Sequence, residues 1–166
     1  MNHCPLIFNF TEKVEGDGFM ADVKMRGRIL WVKEGGEMWM YGVQPGGVAA
    51  CGKGEGATYL EFRQTYLEFR RTLQGVLFDI SIDSPDYNSF QRKIRRFFKE
   101  VSKPTEEEWW EAVREAREGR IKVEDMPILN ADTEEPYIKV KKIGRPKAKH
   151  NVLDPLEPDI ASALAA

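Results

Sequence analysis

Cysteine and histidine are scarce, with two of each among 166 residues. Cys4 and Cys51 stand far apart and form no Cys-x-x-Cys pair, which excludes a disulfide framework and fits a reducing, cytosolic compartment. His3 and His150 lie near the two ends in polar context, beside no nucleophile pattern, so no catalytic residue is expected. His3, Cys4, Cys51 and His150 match no closed metal site in their spacing. The reading is a small buried Cys51, an exposed His3–Cys4 pair, no metal and no cofactor. Long apolar runs are also missing. Charges recur every few positions, no stretch approaches the ~18 to 20 apolar residues of a membrane helix, and the first apolar stretch is broken at Asn9. Neither a signal peptide nor a membrane partner is expected. Charge of one sign is lacking as well: 25 Lys and Arg face 27 Asp and Glu, for a net charge of −2. Any electrostatic function must therefore be local.

What is present suffices for a core. Some 42% of the chain is hydrophobic, which excludes wholesale disorder and predicts one domain with appendages. The first fifty residues read in period two. Leu6, Phe8 and Phe10 open one strand, Glu15-Gly16-Asp17-Gly18 is a turn, and Phe19, Ala21, Val23 and Met25 alternate with polar neighbours. Arg28–Lys33 is a further apolar run, Glu34-Gly35-Gly36-Glu37 signals a hairpin, and Met38-Trp39-Met40-Tyr41 returns from it. Gln44-Pro45-Gly46-Gly47 then breaks the ladder before a short strand at Val48–Cys51. The loose run Gly52-Lys53-Gly54-Glu55-Gly56 lacks the Walker spacing and reads as a connector.

At Thr58 the period changes. Thr58 with Glu61 is a capping box, and Tyr59, Phe62, Tyr66, Phe69, Leu73, Val76/Leu77 and Ile80 form a helical stripe. Thr-Tyr-Leu-Glu-Phe-Arg occurs twice within it, seven residues apart, so both copies should show nearly the same face to the core. Residues 76–83 also alternate, which leaves helix and strand both open there. Ser84-Pro85 restarts a helix bearing Arg92, Lys93, Arg95, Arg96 and Lys99, and Thr105-Glu106-Glu107-Glu108 caps an acidic one that stops at Gly119. Five of the nine prolines fall after Gly119, where Tyr137–Ile143 is a strand candidate and Asp159–Ala166 a short helical end in a tail that is otherwise largely extended. The domains read as 5–102, an α+β unit; 103–119, the acidic helix; and 120–166, a partly extended basic tail. The fold class is α+β: an antiparallel meander of four to five strands with a long helix across one face.

Two features bear on binding. Lys139, Lys141, Lys142, Arg145, Lys147 and Lys149 form an acid-free tract around Gly144-Arg145-Pro146, which resembles an AT-hook and makes these six the DNA-binding candidates. Trp39 and Tyr41 are the candidates for a partner interface, because interface hot spots favour Trp, Tyr and Arg. Trp109 is read as core, with Trp110 beside it.

Gly-Asp-Gly-Phe at 16–19, Gln-Pro-Gly-Gly-Val-Ala-Ala-Cys-Gly at 44–52 and the Thr-x-x-Glu helix start at 58–61 together resemble the HicB-like antitoxin family over residues 8–76. That resemblance implies a truncated RNase H-like sheet and a cytoplasmic bacterial or archaeal antitoxin. Such a protein occludes a small toxin ribonuclease and often binds its operator through a C-terminal element, a part the basic tail would take here; a homodimer is open. The hairpin at 27–43 looks like an insertion, and residues 7–11 lack the acid of a true RNase H strand. The alternatives are a metal-dependent nuclease using Asp79, Asp83 and Asp86, and an adaptor or DNA-binding protein with no toxin.

Overall fold

The computed structural model describes residues 3–53, 59–118 and 135–144. β1 (His3–Gly16) pairs with β2 (Phe19–Glu34) in antiparallel register along the whole length of β1, from His3 opposite Val32 to Gly16 opposite Phe19. The other edge of β2 is shared end to end by two strands. β3 (Glu37–Gln44) takes Arg28 to Glu34, and β5 (Tyr137–Gly144) takes Met20 to Arg26. β4 (Gly46–Lys53) pairs β3 on the outside. The segment read as an inserted hairpin is thus the continuation of β2 into β3. Gly35 and Gly36, both at positive φ, close it as a two-residue turn that matches strand twist.

Gly27 marks the handover from β5 to β3. A Cβ there would lie 2.4 Å from both the Gln44 carbonyl oxygen and the Phe8 ring, so only glycine lets the strands close at this point.

Helices cover both sheet faces, unequally. α1 (Tyr59–Ile82) crosses the face made by even positions of β1 and odd positions of β2, burying Phe62, Tyr66, Phe69, Leu73 and Leu77 against Leu6, Phe8, Phe10, Met25 and Ile29. It stays helical through 76–82, which settles the question left open there. α2 (Tyr87–Lys99) adds Phe90, Ile94 and Phe98 to the same core. Its cap is Asp86, which accepts from the Ser89 N–H at 2.7 Å; Ser84, expected in that role, is buried and donates to the Ile80 carbonyl instead.

α3 (Lys103–Arg117) lies on the opposite face and packs Trp109, Ala112 and Val113 onto Ile7, Leu30 and Val43. Its N-cap is Ser102 and not the expected Thr105; the Ser102 hydroxyl donates to Thr105 Oγ1. The short link from α2 is stitched to the β3–β4 turn: the Gly46 N–H donates to the Glu100 carbonyl at 2.7 Å and the Ser102 N–H to the Val43 carbonyl at 3.2 Å.

Alternation also explains two misplaced expectations. Cys4 points into the α1 core and His3 under α3, where it meets Glu115 at 3.1 Å, so both are buried. Cys51 lies on the outer strand beside Trp39 and is exposed.

Arg28 joins the second layer to the sheet. Its Nη2 donates to Gln44 Oε1 and Glu106 Oε2, each at 2.9 Å, and its guanidinium lies 4.9 Å from the centre of the Trp109 ring. Arg28→Ala should lower unfolding stability by about 2 kcal/mol, the scale of a lost charge-assisted hydrogen bond whose carboxylate keeps some solvent. Urea titration should show a lower midpoint with an unchanged slope; an unchanged midpoint would remove Arg28 from the account.

Candidate functional surfaces

Period two gives the α3 side of the sheet three zones. α3 covers the middle. On the β3–β4 flank, Trp39 and Tyr41 are both half-buried, with ring centroids 5.6 Å apart and planes within 7°. They share this face because β3 positions 39 and 41 pair with Val32 and Leu30 of the α3 core. Carboxylates surround the pair. Trp39 Nε1 donates to Glu37 Oε2 at 3.3 Å. The Tyr41 hydroxyl is held above the ordinary phenol range, first by desolvation and then by Glu34, by Cys51 and, more weakly, by Glu108 of α3. Ala49 and Cys51 on β4 lie opposite the two rings and leave them uncovered from that side.

The other flank is the half-sheet of β1, β2 and β5 beyond the end of α3. Its cross-strand rows on this face are Asn9–Arg26–Tyr137, Thr11–Lys24–Lys139 and Lys13–Asp22–Lys141. Lys13, Lys24, Lys139 and Lys141 are exposed, whereas Arg26 and Tyr137 are half-buried. Arg26 donates through Nε to Asn9 Oδ1 at 3.3 Å and lies 4.9 Å from the Tyr137 ring centre; Lys139 Nζ is 5.2 Å from the same ring.

The basic tract is therefore divided by strand geometry. Lys139 and Lys141 share a face, while Lys142 turns to the other side, 5.9 Å from the Tyr87 ring of α2. Arg145, Lys147 and Lys149 lie outside the described residues. Lys13 of β1 and Lys24 and Arg26 of β2 were missed in the sequence because neither strand shows a basic run around them; only the pairing register brings them beside the tract.

Of the carboxylates proposed for a nuclease, Asp86 caps α2; Asp79 and Asp83 join the turn that ends α1 through their backbones, the Asp83 N–H donating to the Asp79 carbonyl. Among the described residues no group of three His, Cys, Asp or Glu side chains is placed to hold a metal ion. Arg70 is the buried polar residue that the sequence concealed: the second copy of the hexapeptide tucks it under the β1 edge, 4.8 Å from the Phe10 ring, with Nη1 donating to the Asn9 carbonyl at 3.3 Å. The matching Arg63 of the first copy is exposed. Trp109 is core, as expected, and Trp110 is 45% exposed, with its ring set edge-on to Trp109. No helix among the described residues is long and apolar enough to cross a membrane. In comparison with known proteins, no family model, curated sequence or solved structure matches the chain.

The two thiols have opposite settings. Burial pushes Cys4 up to about 12. Cys51 is raised by local desolvation and by the Glu37 carboxylate. With a thiol-specific reagent near pH 8, Cys51 should react more slowly than a free thiol and faster in Glu37→Gln, while Cys4 should react only on unfolding. Because the fold favours the protonated Cys4 thiol, its contribution to stability is complete below about pH 9 and declines toward pH 12. Cys4→Val should flatten that alkaline decline; equal decline in both proteins would contradict it.

Proposed function

We propose that this chain is a partner-binding protein of the HicB-like antitoxin type, which docks a small basic ribonuclease on the Trp39–Tyr41 surface and blocks it by occlusion. The observation that carries the reading is the stacked aromatic pair set among Glu34, Glu37 and Glu108. Two large rings held flat by a strand offer contact area at little cost in side-chain entropy, and the carboxylates beside them complement a cationic partner. A nucleic-acid-cleaving partner carries cations where it grips phosphate, so an acidic, aromatic surface is suited to cover such a groove. The resemblance of the β1-to-α1 segment to the antitoxin family supports the same reading from the sequence side. Inhibition of this kind needs only surface complementarity and asks no catalytic group of the chain. The nucleic-acid part of the reading concerns β5 and is developed in the next subsection.

The test is capture of the tagged chain from its own cells, followed by an RNA-cleavage assay on the protein recovered. A small basic ribonuclease, bound at near-stoichiometric level and silenced by the chain, is the expected result. Trp39→Ala should then weaken the complex by at least about 2 kcal/mol, roughly thirtyfold, with thermal unfolding nearly unchanged. Glu34→Gln and Glu37→Gln should instead slow association and reduce its salt dependence. A captured ribonuclease whose binding ignores all three substitutions would move the interface elsewhere, and a chain that leaves the ribonuclease active would overturn the occlusion reading.

A further inference from the structure

We infer that the open half-sheet formed by β1, β2 and β5 is a binding face for single-stranded nucleic acid, separate from the aromatic surface at Trp39 and independent of the antitoxin reading. Three cross-strand rows place Lys13, Lys24, Arg26, Lys139 and Lys141 on one face with Asp22 the one carboxylate among them. In a chain of net charge −2 this is a local concentration of positive charge, drawn from three strands remote in sequence.

The arrangement carries an energetic cost. Lys24 and Lys139 stand directly opposite each other, and like charges at facing positions destabilise a sheet. An anion lying across the rows turns that repulsion into attraction.

The chemistry at one end of the face selects the kind of anion. Tyr137 is flanked by the Arg26 guanidinium at 4.9 Å and by Lys139 Nζ at 5.2 Å, while Asn9 Oδ1 holds Arg26 in place through its Nε. A planar guanidinium packed against an aromatic ring offers a stacking surface for a base, and the exposed lysines two residues along each strand offer contacts for the phosphates that follow. Flat sheet faces carrying an aromatic ring and cations take unpaired bases in this way, whereas a duplex keeps its bases stacked inside. The site thus lies on the fold itself, within strands among the described residues.

The experiment is fluorescence anisotropy with the full chain and three labelled probes of equal length: oligouridylate, single-stranded DNA and duplex DNA. Both single strands should bind more tightly than the duplex, with a log–log salt slope between about −2 and −3.5, near −0.7 for each of three to five phosphate contacts. Tyr137→Leu should weaken binding at least about fivefold without changing the slope, because stacking is lost and charge is not. Lys139→Glu should weaken binding at least about tenfold, flatten the slope by about 0.7 or more, and raise the melting temperature, since Glu would face Lys24. That rise separates lost binding from lost folding. Trp39→Ala should leave all three affinities unchanged, so failure of the ribonuclease interface and failure of this face would be told apart. Absence of binding at low salt would overturn the assignment. So would preference for the duplex, or affinity indifferent to Tyr137→Leu and Lys139→Glu but lost when Arg145, Lys147 and Lys149 are replaced by Gln.

Discussion

The rest of the structure depends on β2 being paired along both edges over most of its length. β1 holds Phe19 to Val32 on one side, and β5 and β3, set end to end, hold Met20 to Arg26 and Arg28 to Glu34 on the other. A strand fixed this way cannot slip by one residue without exchanging its two faces. Odd positions from Phe19 to Ile29 are thereby committed to the α1–α2 core, and Leu30 and Val32 to the α3 layer. Each later element answers that division. α1 and α2 cover the face that is apolar from end to end, and α3 covers only the short stretch of the other face where Leu30 and its neighbours are apolar. Arg28 joins the two zones by bonding Gln44 and Glu106 above the Trp109 ring.

The two candidate surfaces are what α3 leaves uncovered. Beside it on β3, stacked aromatic rings lie among carboxylates; beyond its end, cations from three strands lie beside a tyrosine. The two surfaces have opposite character and share one face of one sheet. The partners proposed for them differ accordingly: a basic protein for the first and a polyanion for the second. A chain that binds a ribonuclease on one surface and a nucleic acid on the other would hold both on one face of one sheet, on either side of the α3 layer that Arg28 joins to it.

Much of the fold was legible in the sequence, because its signals are local. The hairpin at Gly35-Gly36, the change of period near Thr58, the buried Trp109 and the Tyr137–Ile143 strand all follow from spacing and turn chemistry within a few residues. The helix stripe placed Phe62, Tyr66, Phe69, Leu73 and Leu77 correctly. What was not legible depends on pairing across long separations. His3 and Cys4 looked terminal and exposed, yet α3 and α1 close over them; Cys51 looked like a core residue, yet β4 is an edge strand. The two hexapeptide copies looked equivalent, yet Arg70 meets the β1 edge and Arg63 meets solvent. The candidate surfaces divide in the same way. Trp39 and Tyr41 stand out as neighbours of a hairpin, whereas Lys13, Lys24 and Arg26 join Lys139 and Lys141 only through a register in which β5 returns from more than a hundred residues downstream to lie beside β2.

That return is the central claim, since it closes the core under Ile138 and Val140 and assembles the basic face. Native-state amide hydrogen exchange resolved by residue tests it most directly. The β5 amides that face β2 should exchange with protection close to that of their partners on β2, as members of one cooperative unit. Exchange of the 137–144 amides at the rate of an unstructured peptide, with β2 still protected, would contradict the account and return the lysines of this segment to a free tail.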